Sequence, residues 1–273
     1  MSKIIMLGTG NGMTMDIYNT CFVIQNEKGN FLIDTGGSIE IVKRLYELDI
    51  KLNDIENIFI SHSHTDHIFG LFWIFREFYR QTKAKNINNN INIYYNEKVL
   101  DAIKTIMNCV FDKKVIDVIE EKINFIKLND NDKYNINGVE YTFFDLKAKK
   151  IMQYGFQCEI ENKKLIFLGD ETLKNELHKK IKNADYVMHE AFCLESEENI
   201  FKPQEKGHSS ALKVAETMNN LYVKNLILYH TEETHKEKRK ELYEIEAQSI
   251  FNGNVIVPND LEIIEIKEKT YKK

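Results

Sequence analysis

The sequence predicts an α/β domain built from layers of helices packed on sheets. Short apolar runs typical of strands alternate with stretches whose apolar residues recur at helical spacing, and the connections between them are short. Only two prolines are present, Pro203 and Pro258, and no stretch rich in Pro, Gly or Ser divides the 273 residues. We therefore expect a single domain over residues 1–273.

The first part of the chain is predicted to form three strands and a helix. A strand at Lys3–Leu7 precedes the glycine-rich Gly8–Gly12. Two more strands are expected at Cys21–Gln25 and Asn30–Ile33. Ser38 can then cap a helix. The apolar positions of that helix recur at helical spacing: Ile41, Val42, Leu45 and Leu48.

A fourth strand, Ile58–Ile60, precedes two helices. The helix around Leu71–Tyr79 is aromatic on almost every side, which indicates either a buried core helix or half of a subunit interface. The Asn-rich stretch Asn86–Asn90 is predicted to be a loop. A second helix begins at Asn96, and its apolar residues share one face: Val99, Leu100, Ile103, Ile106, Met107 and Val110.

The second half is predicted to contain strands joined by tight turns. Tyr134–Phe144 contains Asn137-Gly138, a strong signal for a two-residue hairpin. A helix is expected from Ser209 or Ser210 to about Asn220. The remaining strands are predicted at Phe156–Ile160, Leu165–Leu168, Tyr186–Met188 and Leu226–Tyr229.

The segment from His62 to His67 is the most informative part of the chain. His62, His64, Asp66 and His67 place three imidazoles and one carboxylate within six residues, directly after a predicted strand. Neutral imidazole and carboxylate are the ligands that zinc and related metals select. A polar cluster of this density is difficult to explain as packing, since buried polar groups without partners are costly. We therefore predict a metal site here.

Further polar side chains follow three other predicted strands. Asp170 comes after Leu165–Leu168 and Gly169, and His189 and Glu190 come after Tyr186–Met188. His230 ends the last of these strands. Strand ends that meet at one edge of a rigid sheet commonly form a functional site. The sequence thus indicates that these residues join the histidine cluster.

Composition and charge limit the function further. The net charge of −5 argues against an extended nucleic-acid surface, which needs many cations, and no apolar run is long enough to span a membrane. The N-terminus lacks the pattern of a signal peptide. The four cysteines are widely spaced and form no CxxC pair. A cytoplasmic protein with reduced thiols is the expectation.

Seven segments in order along the chain form a set that resembles a known group. They are Leu7–Gly10, Asp34–Gly37, the His-x-His-x-Asp-His stretch His62–His67, Gly169-Asp170, His189–Phe192, Gly207–Ser210 and Tyr229-His230. The set resembles the metallo-β-lactamase superfamily, and most closely its ribonuclease Z branch with the phosphodiesterase relatives.

The resemblance implies a four-layer αββα sandwich with a metal centre at the sheet edge. His62 and His64 would hold a first metal. Asp66, His67 and His230 would hold a second, and Asp170 would bridge the two. Zinc is expected, with manganese and iron as alternatives, because all three suit histidine and carboxylate ligands. We expect one or two ions per chain.

The resemblance also implies catalytic roles. Asp66 would orient the attacking water, and Glu190 with His208 would deliver a proton to the leaving alkoxide. His189 is more simply explained as a structural residue. His178 and His235, in charged surroundings, are expected on the surface.

One ligand of the family pattern is missing. The family has a third first-site histidine before an aromatic-Gly-aromatic segment, here Tyr154–Phe156, and Lys149 takes that position. Lysine is a poor ligand at neutral pH because it must first lose a proton. The enzyme could work with one firmly bound metal while Lys149 supplies positive charge. Alternatively, another group could complete the site, or the chain could be a ligand-binding pseudoenzyme.

The substrate is expected to be small. Ribonuclease Z commonly inserts a tRNA-gripping arm where this sequence has only Glu161–Lys164 between two predicted strands. This favours a phosphodiesterase acting on a cyclic nucleotide or short oligonucleotide over processing of tRNA 3′ ends. Lactone or thioester hydrolysis is the alternative chemistry in the superfamily. A homodimer is expected, from the resemblance and from the aromatic helix at Leu71–Tyr79.

Overall fold

A computed structural model describes residues 2–87 and 89–266 and consists of two facing seven-stranded sheets. The order of the first sheet is β14-β1-β2-β3-β4-β5-β6, and that of the second is β13-β12-β11-β10-β9-β8-β7. The first sheet contains β1 Lys3–Gly8, β2 Cys21–Asn26, β3 Gly29–Ile33, β4 Ile55–Ile60, β5 Ile91–Tyr95, β6 Ile123–Lys127 and β14 Ile263–Glu265. The second contains β7 Lys133–Ile136, β8 Val139–Asp145, β9 Tyr154–Ile160, β10 Lys163–Phe167, β11 Tyr186–Glu190, β12 Asn225–Tyr229 and β13 Asn254–Ile256.

Helices connect the strands and cover the outer faces of both sheets. They are α1 Glu40–Glu47, α2 Thr65–Lys83, α3 Glu97–Val110, α4 Lys113–Lys122, α5 His178–Ile181, α6 Glu198–Phe201, α7 Pro203–Lys206, α8 Ala211–Asn220 and α9 Arg239–Gln248. Within the described ranges, no helix is both long and apolar enough to cross a membrane.

The four layers follow from the alternation of side chains along the strands. On β4, Ile58 and Ile60 pack with α1 to α4, whereas Phe59 points between the sheets and contacts Phe143 and Phe156. The outer face of the second sheet packs against α8 and α9 through a third cluster that includes Leu226. Because successive strand residues face opposite sides, a single strand supplies two cores. The αββα sandwich is confirmed.

Local signals in the sequence account for several turns and caps. Asn137 and Gly138 both have positive φ (51° and 77°), as a two-residue hairpin requires, and they join Ile136 to Val139. The Asn96 side chain accepts a hydrogen bond from the backbone N–H of Lys98 at the start of α3.

The aromatic helix is two-sided. In α2, Phe72, Phe75 and Phe78 are buried, whereas Phe69 and Trp73 are each 40% exposed. The Asn-rich loop Asn86–Asn90 follows α2, and Asn88 in it lies outside the described residues.

Candidate metal centre

The strand-to-helix turn after β4 places the histidine cluster. His62 and His64 lie in the connection that follows Ile60, and α2 begins at Thr65. Asp66 and His67 therefore occupy the first helical turn, where a carboxylate is favoured by the helix dipole. One short segment thus presents four side chains, two from an extended connection and two from the first turn of a helix.

The second sheet supplies the remaining residues. Asp170 follows β10 after Gly169, whose φ is +60°, and His230 follows β12 with a φ of 58°. A non-glycine residue in this left-handed region is strained, and such strain concentrates at functional sites. The Tyr229 hydroxyl donates to the Gly169 carbonyl, which ties the two strand ends together.

These residues form two groups that share Asp170. The first group is His62, His64 and Asp170, and the second is Asp66, His67, Asp170 and His230. Within each group, one potential ligand atom from every residue lies within 4.8 Å of the others. All six metal ligands predicted from the sequence are therefore brought together, although their role as ligands remains a prediction.

The spacing of the ligand atoms suits a tetrahedral cation. In the second group, His67 Nε2 lies 3.2 Å from Asp66 Oδ2 and 3.3 Å from Asp170 Oδ2, and His230 Nε2 lies 3.5 Å from both carboxylates. In the first group, His62 Nε2 lies 3.4 Å from Asp170 Oδ2. The edge of a tetrahedron with metal–ligand bonds of about 2.0–2.1 Å is about 3.4 Å.

Unpaired buried atoms also fit a cation. His67 Nε2, His230 Nε2 and Asp170 Oδ1 are buried without a hydrogen-bond partner among the described residues. Leaving such groups unsatisfied costs about 1–3 kcal/mol each. A divalent ion held by the second group would satisfy the two imidazole nitrogens together, so the residues present fit a metal.

Asp34 orients two of the imidazoles. Its Oδ2 accepts from His67 Nδ1 (2.9 Å) and from the Ser61 hydroxyl (2.7 Å), and its Oδ1 accepts from the Ser61 backbone N–H. Because the Ser61 hydroxyl donates to Asp34, its oxygen is left to accept from His62 Nδ1 (3.0 Å). Both histidines therefore donate from Nδ1 and direct Nε2 at the cluster, which is the nitrogen that a metal would take. The sequence analysis identifies Asp34–Gly37 as one of the family segments, but it does not predict that Asp34 orients the histidines.

Burial and charge set the protonation of the cluster. Burial lowers the pKa of His62 well below its usual range, so its imidazole is neutral at physiological pH. Burial alone would raise the pKa of Asp170, but His62 and His67 outweigh it and hold that pKa well below its usual range. The same balance, with His67 and His230, lowers the pKa of Asp66. The carboxylates are ionised and ready to coordinate a cation.

Glu190 and His208 lie beside the second group. The His208 ring lies 5.1 Å from that of His230 and stacks on Phe192 at 4.7 Å with a 9° interplanar angle. Glu190 is fully buried, and its Oε1 accepts from the Ser209 backbone N–H (2.8 Å). Its Oε2 and His208 Nδ1 are both buried without a hydrogen bond and lie 3.7 Å apart. A shift of under 1 Å would bring them into hydrogen-bonding range.

Burial favours the uncharged form of both members of this pair. Burial, with the nearby Asp170 carboxylate, raises the pKa of Glu190 well above its usual range. Burial, together with His230, lowers the pKa of His208 to about 3. The shift of the Glu190 pKa favours its protonated form, and a neutral His208 beside it has a free ring nitrogen that could accept that proton.

The other histidines lie outside both groups. His189 is buried, and its Nδ1 donates to the Glu190 carbonyl (2.6 Å); burial lowers the pKa of His189 to about 4. His235 pairs with Glu197 at 2.9 Å, and His178 is the first residue of α5.

Lys149, predicted to stand near the substrate, is exposed on the bend between β8 and β9. Gln153, four residues later, is 3% exposed and reaches the backbone of Asp170. The catalytic role of Lys149 stays a prediction. No pattern in the sequence distinguishes Gln153 from other polar loop residues.

Known proteins similar in sequence include two curated types. Ribonuclease Z of Picrophilus torridus is 24% identical over 320 residues, covering 98% of this chain and 97% of the relative. Anti-Pycsar protein Apyc1 of Bacillus phage BSP38 is 41% identical over 71 residues, covering 26% of this chain and 27% of the relative.

Solved structures support the fold at low sequence identity. The metallo-β-lactamase fold protein YhfI from Bacillus subtilis aligns with a TM-score of 0.75 at 16% identity, covering 97% of this chain and all of YhfI. A diphosphatase from the PhnP family aligns with a TM-score of 0.74 at 16% identity, and the alignment covers 98% of each chain. Unliganded yeast PDE1 aligns with a TM-score of 0.68 at 14% identity, covering 96% of this chain and 98% of PDE1.

The family comparison extends over most of the chain. The model of the family described as anti-Pycsar protein Apyc1 matches residues 2–249. The ribonuclease Z relatives and the shared fold confirm the ribonuclease Z-like branch expected from the motifs. This chain has the metallo-β-lactamase fold and belongs to the anti-Pycsar protein Apyc1 family.

Proposed function

We propose that this protein is a metal-dependent phosphodiesterase that acts on a small phosphodiester, such as a cyclic nucleotide or a short oligonucleotide. Membership of the metallo-β-lactamase hydrolase superfamily and the candidate metal centre support a hydrolase. The observation that carries the finer proposal is the pair formed by the fully buried Glu190 and the largely buried His208 beside the second group. The family and its phage relative are named for an activity against Pycsar, and we infer the same activity for this chain.

The chemistry divides between the metal centre and the proton pair. His62, His64, Asp66, His67, Asp170 and His230 would hold the metal. When bound, divalent cations would supply Lewis acidity that acidifies a water molecule and offsets negative charge on the phosphoryl oxygens. Asp66, whose side chain is 12% exposed, would accept a hydrogen bond from the attacking water.

The leaving oxygen needs a proton, and the pair can provide one. His208 lies between Glu190 and the second group and would donate from Nε2 to the departing alkoxide. Its Nδ1 would then take the proton that Glu190 holds. Phe192, stacked on the imidazole, keeps the ring in the orientation that this transfer requires.

The size of the substrate is inferred from the second sheet. Strands β9 and β10 meet in the two-residue turn Glu161–Asn162, both with positive φ, at the place where ribonuclease Z commonly carries its arm. A turn of this length leaves no room for a tRNA-gripping domain. Processing of tRNA 3′ ends is nevertheless the second candidate, since ribonuclease Z relatives match over nearly the whole chain.

Lactone or thioester hydrolysis is a further alternative on the same metal centre. Hydrolysis of a lactone or thioester needs less protonation of the leaving group than hydrolysis of a phosphodiester. The Glu190–His208 pair would then have no clear purpose. A ligand-binding protein without turnover would equally leave both groups unused.

A substrate panel tests these readings. The purified protein, loaded with zinc or manganese, is incubated with bis-p-nitrophenyl phosphate, cyclic nucleotides, a precursor tRNA and a lactone. We expect turnover of the first two substrate types. Turnover of the lactone alone, or of the precursor tRNA alone, would contradict the proposal. Tight nucleotide binding without turnover under any metal would favour the pseudoenzyme.

We also propose a homodimer. Phe69 and Trp73 lie one helical turn apart on α2, and each is 40% exposed, so they form an adjacent apolar pair on the surface of the helix. Sedimentation velocity should give a mass of two chains, and Trp73→Glu should shift the protein towards the monomer. A wild-type monomer at micromolar concentration would contradict the proposal.

A further inference from the structure

We propose that Thr172 is a positioning residue for the proton pair, because its hydroxyl group holds the loop that presents His208 to Glu190. The inference rests on the proposed phosphodiesterase function. Thr172 lies two residues after Asp170, the carboxylate shared by both groups, and its side chain contacts the loop that carries His208.

His208 depends on the backbone of its loop for its position. The residue lies between the end of α7 at Lys206 and the start of α8 at Ala211. Its ring stacks on Phe192, and its Nδ1 is buried without a hydrogen bond. Stacking limits the tilt of a ring, but a stacked ring can still slide parallel to its partner. Hydrogen bonds of the neighbouring residues must therefore set where the imidazole lies.

Thr172 binds the residue before His208 and the residue after it. The Gly207 carbonyl accepts from the backbone N–H of Thr172 and from its hydroxyl group, both at 2.9 Å. The Ser209 hydroxyl donates to Thr172 Oγ1 (3.1 Å). A hydroxyl group can donate one hydrogen bond and accept another, so one side chain bridges both neighbours of His208.

Ser209 continues this connection to the other member of the pair. Its backbone N–H donates to Glu190 Oε1 (2.8 Å), and its carbonyl accepts from the Phe192 backbone N–H (2.9 Å). A displacement of Ser209 would therefore change the distance between Glu190 and His208.

The segment that carries Thr172 also packs closely against the loop. Gly207 has a φ of 94°, and a Cβ at this position would lie 3.3 Å from Glu171 Oε2. Glu171 is 7% exposed, and its carboxylate pairs with Lys174. The residues that follow Asp170 are thus in direct contact with the residue before His208.

The proton pair is sensitive to small displacements. Glu190 Oε2 and His208 Nδ1 lie 3.7 Å apart, just beyond hydrogen-bonding range. Proton transfer requires this gap to close, and a misplacement of about 1 Å can cost about 100-fold in rate. The loss of the Thr172 hydroxyl should therefore slow protonation of the leaving oxygen, without affecting the metal ligands.

The test is Thr172→Val, which keeps the shape of the side chain and the backbone bond to Gly207 but removes both hydrogen bonds of the hydroxyl. With the metal-loaded protein, we expect kcat for a cyclic nucleotide to fall about 10-fold to 100-fold at an unchanged KM. Turnover of bis-p-nitrophenyl phosphate, whose leaving group needs no proton, should fall less than about threefold. Thr172→Ser restores the hydroxyl and should recover most of the lost kcat.

Thr82→Val is the matched control. Thr82 is partly buried like Thr172, and its hydroxyl donates to the Phe78 carbonyl (2.8 Å) near the far end of α2. We expect both activities of this variant to equal those of wild type, even where both valine variants have a lower melting temperature. A selective loss of cyclic-nucleotide turnover in the control would overturn the inference, because it would arise from destabilisation alone.

Ser209→Ala removes the bond to Thr172 from its other side and keeps the backbone N–H that Glu190 accepts. It should show a loss that is also confined to the cyclic nucleotide, so the inference can be tested even where Thr172→Val does not fold. An equal loss on both substrates, a wild-type rate in Thr172→Val, or a Thr172→Ser variant as slow as Thr172→Val would overturn the inference. A wild-type protein that turns over neither substrate would instead contradict the proposed function itself.

Discussion

The proton pair makes the most specific prediction, through the substitution Glu190→Gln. Glutamine keeps the shape of the fully buried side chain, and its Oε1 can still accept from the Ser209 N–H. The amino group would then face His208 Nδ1, which Glu190 Oε2 now faces at 3.7 Å. The change removes the stored proton and leaves the metal ligands in place.

The size of the effect depends on the leaving group. A general acid contributes about 100-fold to 10,000-fold when the departing oxygen is a poor leaving group. For a cyclic nucleotide, which releases an alkoxide, we expect kcat to fall about 100-fold to 1,000-fold, or about 3–4 kcal/mol of transition-state stabilisation. For bis-p-nitrophenyl phosphate, whose nitrophenolate departs without a proton, we expect less than about a threefold loss.

The assay compares the two substrates on the same preparations of wild type, Glu190→Gln and the control Glu205→Gln. Glu205 is exposed on α7, so its substitution tests the change of residue type without touching the pair. Metal content is measured for each sample. An equal loss on both substrates would refute the reasoning, because it would indicate damage to the metal centre. So would an unchanged rate on the cyclic nucleotide.

Three further predictions concern the groups around the metal centre. Asp34→Asn would offer an N–H to His67 Nδ1 and so move the imidazole proton to Nε2. Metal affinity, measured by competition with a chelator, should therefore fall about 10-fold to 100-fold. An unchanged affinity would exclude this orienting role of Asp34. Metal affinity should also rise with pH across the neutral range. Burial lowers the pKa of His67, but the carboxylates of Asp66 and Asp34 outweigh burial and hold that pKa well above its usual range. Metal binding must therefore displace a proton from His67. A flat pH profile in calorimetric titrations would count against that account. Gly169→Ala would place a Cβ at a backbone φ of +60° and 2.9 Å from Gln153 Oε1. The free energy of unfolding of the metal-free protein in urea should therefore fall by at least about 1–2 kcal/mol. An unchanged free energy of unfolding would mean that the contact relaxes freely.

Local sequence signals explain why much of the fold could be predicted. The alternation on β4 and the Asn137-Gly138 turn act through near neighbours, so they can be recognised without the tertiary structure. The strand predicted at Leu165–Leu168 begins two residues earlier, at Lys163, because its pairing with β9 extends to the tight turn. Strand β14 pairs with β1 from the opposite end of the described chain, and no local pattern indicates such a partner.

The site divides in the same way. The ligands from His62 to His67 share one turn, and Asp170 and His230 follow recognisable strands, so residue type and position were sufficient to select them. Asp34 and Gln153 act through contacts with residues 33 and 17 positions away, which spacing does not reveal. The family pattern aligns Lys149 with the missing histidine before Tyr154–Phe156, and this alignment uses sequence position alone. The bend between β8 and β9 places that side chain in solvent, a feature of the loop conformation that the alignment could not include.

We propose that hydrolysis depends on metal bound by the two groups that share Asp170. The most direct test is the metal content of purified wild type and Asp170→Asn after zinc loading and dialysis. We expect between one and two ions per chain in wild type and a near-complete loss in the variant, because both groups lose their common carboxylate. A wild-type chain without bound metal, or a folded Asp170→Asn protein that retains the wild-type content, would contradict this proposal.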